Sequence, residues 1–246
     1  MSLNGDMVQI HINSSNAVNS NGSSYMFDLP NKIIMPESAN IYIELTSMEV
    51  DFSFYTVNSN NNVLDFNANS TIYTITFVPG NYDCFQLRDL INAELNLLGL
   101  SASVVCSYTD ITNKFTFTAT NLFNVYGSST CLDLLGFSSQ NHSGFVVTSD
   151  LVADVYSYVQ KIIVSSSFPT ENQTTGGQQS ILAAVPINAS YLGVISYDGS
   201  KYKFRTYVDH IDVFTITIQD QSGQAIDLNG HLWTATLTFY IKQLYY

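Results

Sequence analysis

Trp233-Thr234-Ala235-Thr236-Leu237-Thr238-Phe239-Tyr240-Ile241 alternates apolar and hydroxyl-bearing side chains without a break. A period of two is that of a β-strand, whose successive side chains leave opposite faces. Trp233, Ala235, Leu237, Phe239 and Ile241 make a face fit for a core. Thr234, Thr236, Thr238 and Tyr240 make a face without charge, which suits contact with another protein better than bulk water.

The same period recurs on either side of a different middle. Val8, Ile10 and Ile12 alternate in a short first strand, and an Asn/Ser loop follows from Asn13 to Ser24. Tyr25 to Ile34 and Ala39 to Phe54 read as strands divided by a turn at Met35-Pro36-Glu37-Ser38. In the second of them Ile41, Ile43 and Leu45 point one way, and Tyr42, Glu44 and Thr46 the other. Asn58 to Asn62 reads as a loop tip. Beyond Val155 the chain is again β: Val155 to Ser165, an edge strand at Ile181 to Pro186, and Ile211 to Gln219. A long loop from Phe168 to Ser180, with Gly176-Gly177 at its tip, lies between the first two. Two hairpins are predicted from their turn dipeptides. Tyr191 to Tyr197 turns into Lys201 to Val208 at Asp198-Gly199, and Ala225 to Leu228 turns into His231 to Tyr240 at Asn229-Gly230.

The middle holds the one convincing helix. Asp83 is placed as N-cap with Gln86 three residues on, the spacing of a capping box. Leu87, Leu90, Ile91, Leu95 and Leu98 form its apolar stripe, and Gly99 stops it. A strand at Ile72 to Val78 precedes it. Strands at Ser101 to Tyr108 and Lys114 to Thr120 and a helical turn at Ser129 to Leu135 follow. The expected architecture is a mainly β, antiparallel β-sandwich made of residues 1–69 and 141–246. A small β-α-β-β subdomain, residues 70–140, interrupts it.

Composition narrows the function. Hydrophobic residues are 46% of the 246 and charged residues only 11%, so the chain is globular and charge-poor. The formal charge of −12 argues against naked nucleic acid as the main partner, because phosphate binding needs clustered cations. No apolar run is long enough for a membrane helix, and the start Met1-Ser2-Leu3-Asn4-Gly5 has no secretion-signal pattern. Cys84, Cys106 and Cys131, odd in number and without C-x-x-C spacing, read as buried thiols in a reducing compartment. Six Asn-x-Ser/Thr sequons, beginning at Asn13, Asn21, Asn69, Asn141, Asn172 and Asn188, read as products of an Asn- and Ser-rich composition.

Equipment for catalysis is thin. His11, His142, His210 and His231 fit no metal-binding spacing, and no nucleophile elbow or phosphate loop is present. Asp209-His210-Ile211-Asp212 is the densest titratable cluster, with His210 and Asp212 on one side of an extended chain, but no nucleophile accompanies it. The reading is of a protein that is not an enzyme, with no catalytic, cofactor or metal residues. The sharper pattern is Lys201, Lys203 and Arg205, at alternate positions of one strand and flanked by Tyr202, Phe204 and Tyr207. It is either a solvated strand face or a positive stripe meeting an acidic surface on a neighbouring copy.

Three groups of segments carry a family resemblance. The first is Leu29-Pro30-Asn31-Lys32-Ile33-Ile34 with Ile41-Tyr42-Ile43-Glu44-Leu45-Thr46, Phe54-Tyr55-Thr56-Val57 and Asn60-Asn61-Asn62. The second is Val78-Pro79-Gly80-Asn81-Tyr82 with Leu90-Ile91-Asn92, Phe115-Thr116-Phe117 and Leu134-Leu135-Gly136-Phe137. The third is Ile181-Leu182 with Val185-Pro186-Ile187, Ile216-Thr217-Ile218-Gln219-Asp220, Gly223, Asp227-Leu228-Asn229-Gly230 and Trp233-Thr234. Together these resemble the penton and minor capsid proteins of virophages, polinton-like viruses and related large eukaryotic DNA viruses.

That resemblance implies a single jelly-roll and a structural role in an icosahedral virion assembled inside the host cell. It also implies self-association, as a pentamer at the vertex or at another minor position, against major capsid protein and other minor capsid proteins. The competing expectation is a receptor- or glycan-binding module of fibre-head or lectin type, with tyrosine faces stacking on sugars. A carbohydrate-active enzyme, which needs two carboxylates at glycosidase spacing, is the third.

Overall fold

In the computed structural model, which describes residues 6–36, 39–155, 159–170, 180–199 and 202–243, the C-terminal alternation lies inside a sheet with neighbours on both sides. The first strands are β1 (Asp6–Asn13), β2 (Asn19–Ser20), β3 (Ser24–Ile34) and β4 (Ala39–Asp51). The middle contains β5 (Val63–Ala68), β6 (Thr71–Thr76), α1 (Cys84–Leu97), β7 (Val104–Thr109), β8 (Lys114–Val125), α2 (Leu132–Leu135) and β9 (His142–Thr148). Then come β10 (Lys161–Ser166), β11 (Ile181–Pro186), β12 (Val194–Asp198), β13 (Phe204–Thr206), β14 (His210–Gln219) and β15 (Trp233–Gln243). The chain divides into two compact units, Met1–Phe54 with Val159–Tyr246, and Tyr55–Tyr158.

The first unit has two antiparallel sheets. Sheet A runs β1-β15-β4-β12, with β13 also on β4, and sheet B runs β11-β10-β14-β3-β2. First and last strands are therefore neighbours, and within this unit the chain changes sheet at every connection except β2–β3, β10–β11 and β12–β13. This is the strand order of a single jelly-roll, two Greek keys folded on each other. The second unit enters between β4 and β10. Inward-facing residues of both sheets fill the core, including Ile43, Leu45, Leu237 and Phe239 from sheet A and Phe214, Ile216 and Val164 from sheet B. Trp233 of β15 meets Tyr25 and Phe27 of β3 edge-on, with ring centroids 5.1 and 5.9 Å apart, and Phe168 meets Phe239 at 5.2 Å. Truncating a buried aromatic of this kind costs about 3–5 kcal/mol.

Two predicted hairpins are not formed. β12 and β13 do not pair with each other. Both pair with β4, Val194–Asp198 against Ser47–Asp51 and Phe204–Thr206 against Ile41–Ile43, so they lie end to end along one edge. Asp198-Gly199 does not reverse the chain. Gly199 donates to the Thr46 carbonyl at 2.8 Å, and a Cβ there would run into the Leu45 carbonyl oxygen and the Tyr197 ring. At the second site Asn229 and Gly230 do take positive φ, 51° and 79°, yet residues 225–228 form no strand with β15. Both edges of β15 are occupied, by β1 and β4.

The second unit has its own sheet, β6-β5-β8-β7 with β9 on the other edge of β8, and its own core. Phe66, Phe117, Phe123, Leu87, Ile91, Leu135 and Phe137 belong to that core. α1 begins as expected, with the Asp83 carboxylate accepting from the Gln86 amide at 2.7 Å and Gln86 Oε1 from the Asp83 amide at 2.9 Å. A cap of this type contributes about 1 kcal/mol. The sequence boundaries of 70 and 140 fall inside this unit, because β5 and β9 flank them and both join its sheet. Asn61 and Asn62 are buried, not an exposed tip. Their amides donate to the carbonyls of Thr56 and Phe77 at 2.9 and 2.8 Å.

Candidate functional site

The outer face of sheet A is assembled row by row from its register. Asn13, Thr234, Glu49 and Ser196 lie side by side, then His11, Thr236, Ser47 and Asp198. Further along come Gln9, Thr238 and Glu44, then Met7, Tyr240, Tyr42 and Arg205, and last Lys242 beside Asn40. A bulge between Thr236 and Leu237 leaves Thr46 as the extra residue of β4.

Two residues of this outward face are nonetheless buried. Thr238 is 0% exposed and Glu44 1%, so the face is not simply solvated. Tyr240 reaches over the row, and its hydroxyl donates to Glu44 Oε2 at 2.7 Å. That hydrogen bond to an anion, reinforced by burial and by the charge of Glu44, pushes the Tyr240 phenol up to about 12. Glu44 Oε1 is buried without a hydrogen-bond partner.

The predicted stripe is brought to this face in part. Lys201 lies outside the described residues. Lys203 sets its ammonium 3.3 Å from the centroid of the Tyr240 ring, and Arg205 donates to Asn40 Oδ1 at 2.9 Å with its guanidinium 5.2 Å over Tyr207. Lys242, which sequence reasoning did not group with them, stands 5.1 Å over Tyr42. A signal for it existed, since Lys242 continues the polar series Tyr240, Thr238, Thr236. Only the register shows that Tyr42, Tyr240 and Arg205 share one row.

The opposite end of the face is a concavity of about 680 Å³ lined by His11, Asn13, Ser47, Glu49, Asp198 and Thr236 among others. Its lining includes two carboxylates and neither Lys nor Arg.

Elsewhere, His210, His231 and His142 each lie beside carboxylates. His210 is bracketed by Asp209 at 2.6 Å and Asp212 at 3.5 Å, so both carboxylates reach the ring despite alternating along the chain. His231 meets Asp51 at 3.0 Å. In the second unit Ser138, His142 and Asp150 converge, but the Ser138 hydroxyl donates to Asp150 Oδ2 at 2.6 Å while His142 Nε2 is 3.4 Å from each. A nucleophilic triad needs the hydroxyl on one imidazole nitrogen and the carboxylate on the other. Here one nitrogen faces both. The Ser138 hydroxyl and amide instead hold Asp150 below the usual carboxylate range. The three cysteines are buried and free, and burial pushes the Cys106 and Cys131 thiols up. Among the described residues no group of three or more His, Cys, Asp or Glu is placed to hold a metal ion.

No family model matches the sequence, and no curated protein matches it. Among solved structures, the crystal structure of the selenomethionine-labelled mavirus penton protein matches with a TM-score of 0.54 and 13% identity. The alignment covers 96% of this chain and 99% of that one. At this identity the likeness is one of fold, and it extends over nearly the whole of both chains.

Proposed function

We propose that the chain is a structural virion protein, the vertex component or another minor capsid protein of an icosahedral DNA virus. The observation that carries this reading is the jelly-roll strand order together with a fold likeness to a penton protein along almost the full length of both chains. The sandwich serves as a rigid wedge, and assembly proceeds by packing against its own copies and the surrounding major capsid protein. Uncharged or tyrosine-bearing strand faces fit that use, because protein interfaces are depleted in charge and enriched in Tyr and Met. Closed rings form when each copy offers two different surfaces.

The test is the mass of the purified full chain by native mass spectrometry, with negative-stain imaging of particle symmetry. The expected result is a pentamer. The polar concavity on sheet A favours the competing reading, a glycan-binding module, since hydroxyl, amide and carboxylate groups suit sugar hydroxyls. A trimer or monomer that binds selectively on a glycan array would replace the capsid assignment with that one.

A further inference from the structure

The two ends of sheet A's outer face differ in charge. At one end Lys203, Arg205 and Lys242 gather around Tyr240, Tyr207 and Tyr42. At the other, Glu49 and Asp198 line the concavity together with His11, and neither Lys nor Arg is among the lining residues. At the rise of a strand, the Tyr42 and Glu49 positions of β4 are roughly 23 Å apart. Stacking on aromatic faces orients Lys203, Arg205 and Lys242 on this end of the face. The chain has 20 acidic and 8 basic residues, so two copies meeting at random surfaces repel each other. These two ends are a pairing for which the sign reverses.

We propose that the Lys203–Arg205–Lys242 end of one copy docks on the Glu49–Asp198 concavity of a second copy of this chain. The contact rests on the self-assembling virion reading, and names the surfaces through which assembly proceeds. Tyrosines supply its body. Tyr42, Tyr240 and Met7 sit in one row and offer broad contact area with few rotors. Glu44 fixes Tyr240 before any partner arrives, because its buried Oε2 accepts the phenol hydrogen. A platform held in place beforehand loses less entropy on binding. The carboxylates then receive ammonium and guanidinium groups that are already aligned, and charge complementarity fixes which end meets which.

Sedimentation and native mass spectrometry of the full chain across a salt series test the contact. Wild-type assembly is expected to weaken as ionic strength rises, because the pairs lie at solvent-accessible positions. Lys203→Glu with Arg205→Glu is expected to weaken assembly about tenfold or more, and Glu49→Lys with Asp198→Lys likewise. The four changes together exchange the signs and are expected to restore it. Circular dichroism and thermal melting report folding. The acidic-side variant leaves the Lys203–Tyr240 contact intact and carries the test if the basic-side variant unfolds. Undiminished assembly of a folded acidic-side variant, or no recovery in a folded fourfold variant, overturns the contact and leaves the virion reading standing. A wild-type chain monomeric at every salt and concentration overturns both.

Discussion

Tyr240 concentrates the chemistry of the outer face in one side chain. Its ring carries Lys203 and its hydroxyl serves a buried carboxylate. Because the phenol is favoured in its protonated form in the folded state, its contribution is complete below the ordinary tyrosine value near 10 and is lost as pH rises toward about 12. Tyr240→Phe is therefore expected to flatten the alkaline fall in stability across that window, measured by urea denaturation at each pH against wild type. It should also lower stability at neutral pH, because Glu44 then loses its donor in a buried place. Asp150 works in the opposite sense. Its depressed carboxyl contributes above the ordinary carboxylate value, and the contribution disappears as pH falls through the lower folded one. Ser138→Ala removes the leading cause, so the Asp150 carboxyl titration followed by NMR should move back up. Neither residue was singled out for such a role in the sequence, since a Tyr in an alternating run and a Ser in a loop look like their neighbours. Pairs such as Tyr240 with Glu44 join residues far apart in the chain.

At the scale of elements, the period of two located the strands and the period of the apolar stripe located the helix. β3, β4, β14 and α1 fall where the pattern puts them. Partners were less legible. Asp198-Gly199 has the composition of a hairpin turn, but β4 offers an edge to both strands, and β12 and β13 each pair with it and not with each other. The glycine is needed for close approach to the Leu45 carbonyl and not for a positive φ. Gly199→Ala is thus expected to destabilise the first unit by about 1–3 kcal/mol, the usual cost of forcing an atom into a filled site, measured by urea denaturation. β5 and β9 were missed although Leu64, Phe66 and Ala68 alternate with Asp65 and Asn67. The Asn58 to Asn62 tract beside β5 looks like a polar loop, yet it buries two of its amides as structural cross-links.

For the whole molecule, two separate hydrophobic cores correspond to two compact units. Residues Tyr55–Tyr158 expressed alone are expected to melt cooperatively, with dispersed amide resonances. A broad, non-cooperative transition would show that the second core does not stand by itself. The sequence by itself determined that the protein is a charge-poor antiparallel β structure interrupted by a helix-bearing segment. That information is local: side-chain alternation, capping residues and glycine stops act within a few positions. The tertiary structure decided which strands are neighbours, that the order is a jelly-roll, and that Lys203, Arg205 and Lys242 lie at the opposite end of one face from Glu49 and Asp198. Those outcomes depend on competition among strand edges and on register between segments as distant as β1 and β15. A single run of residues encodes which face is apolar, but not what lies beside it.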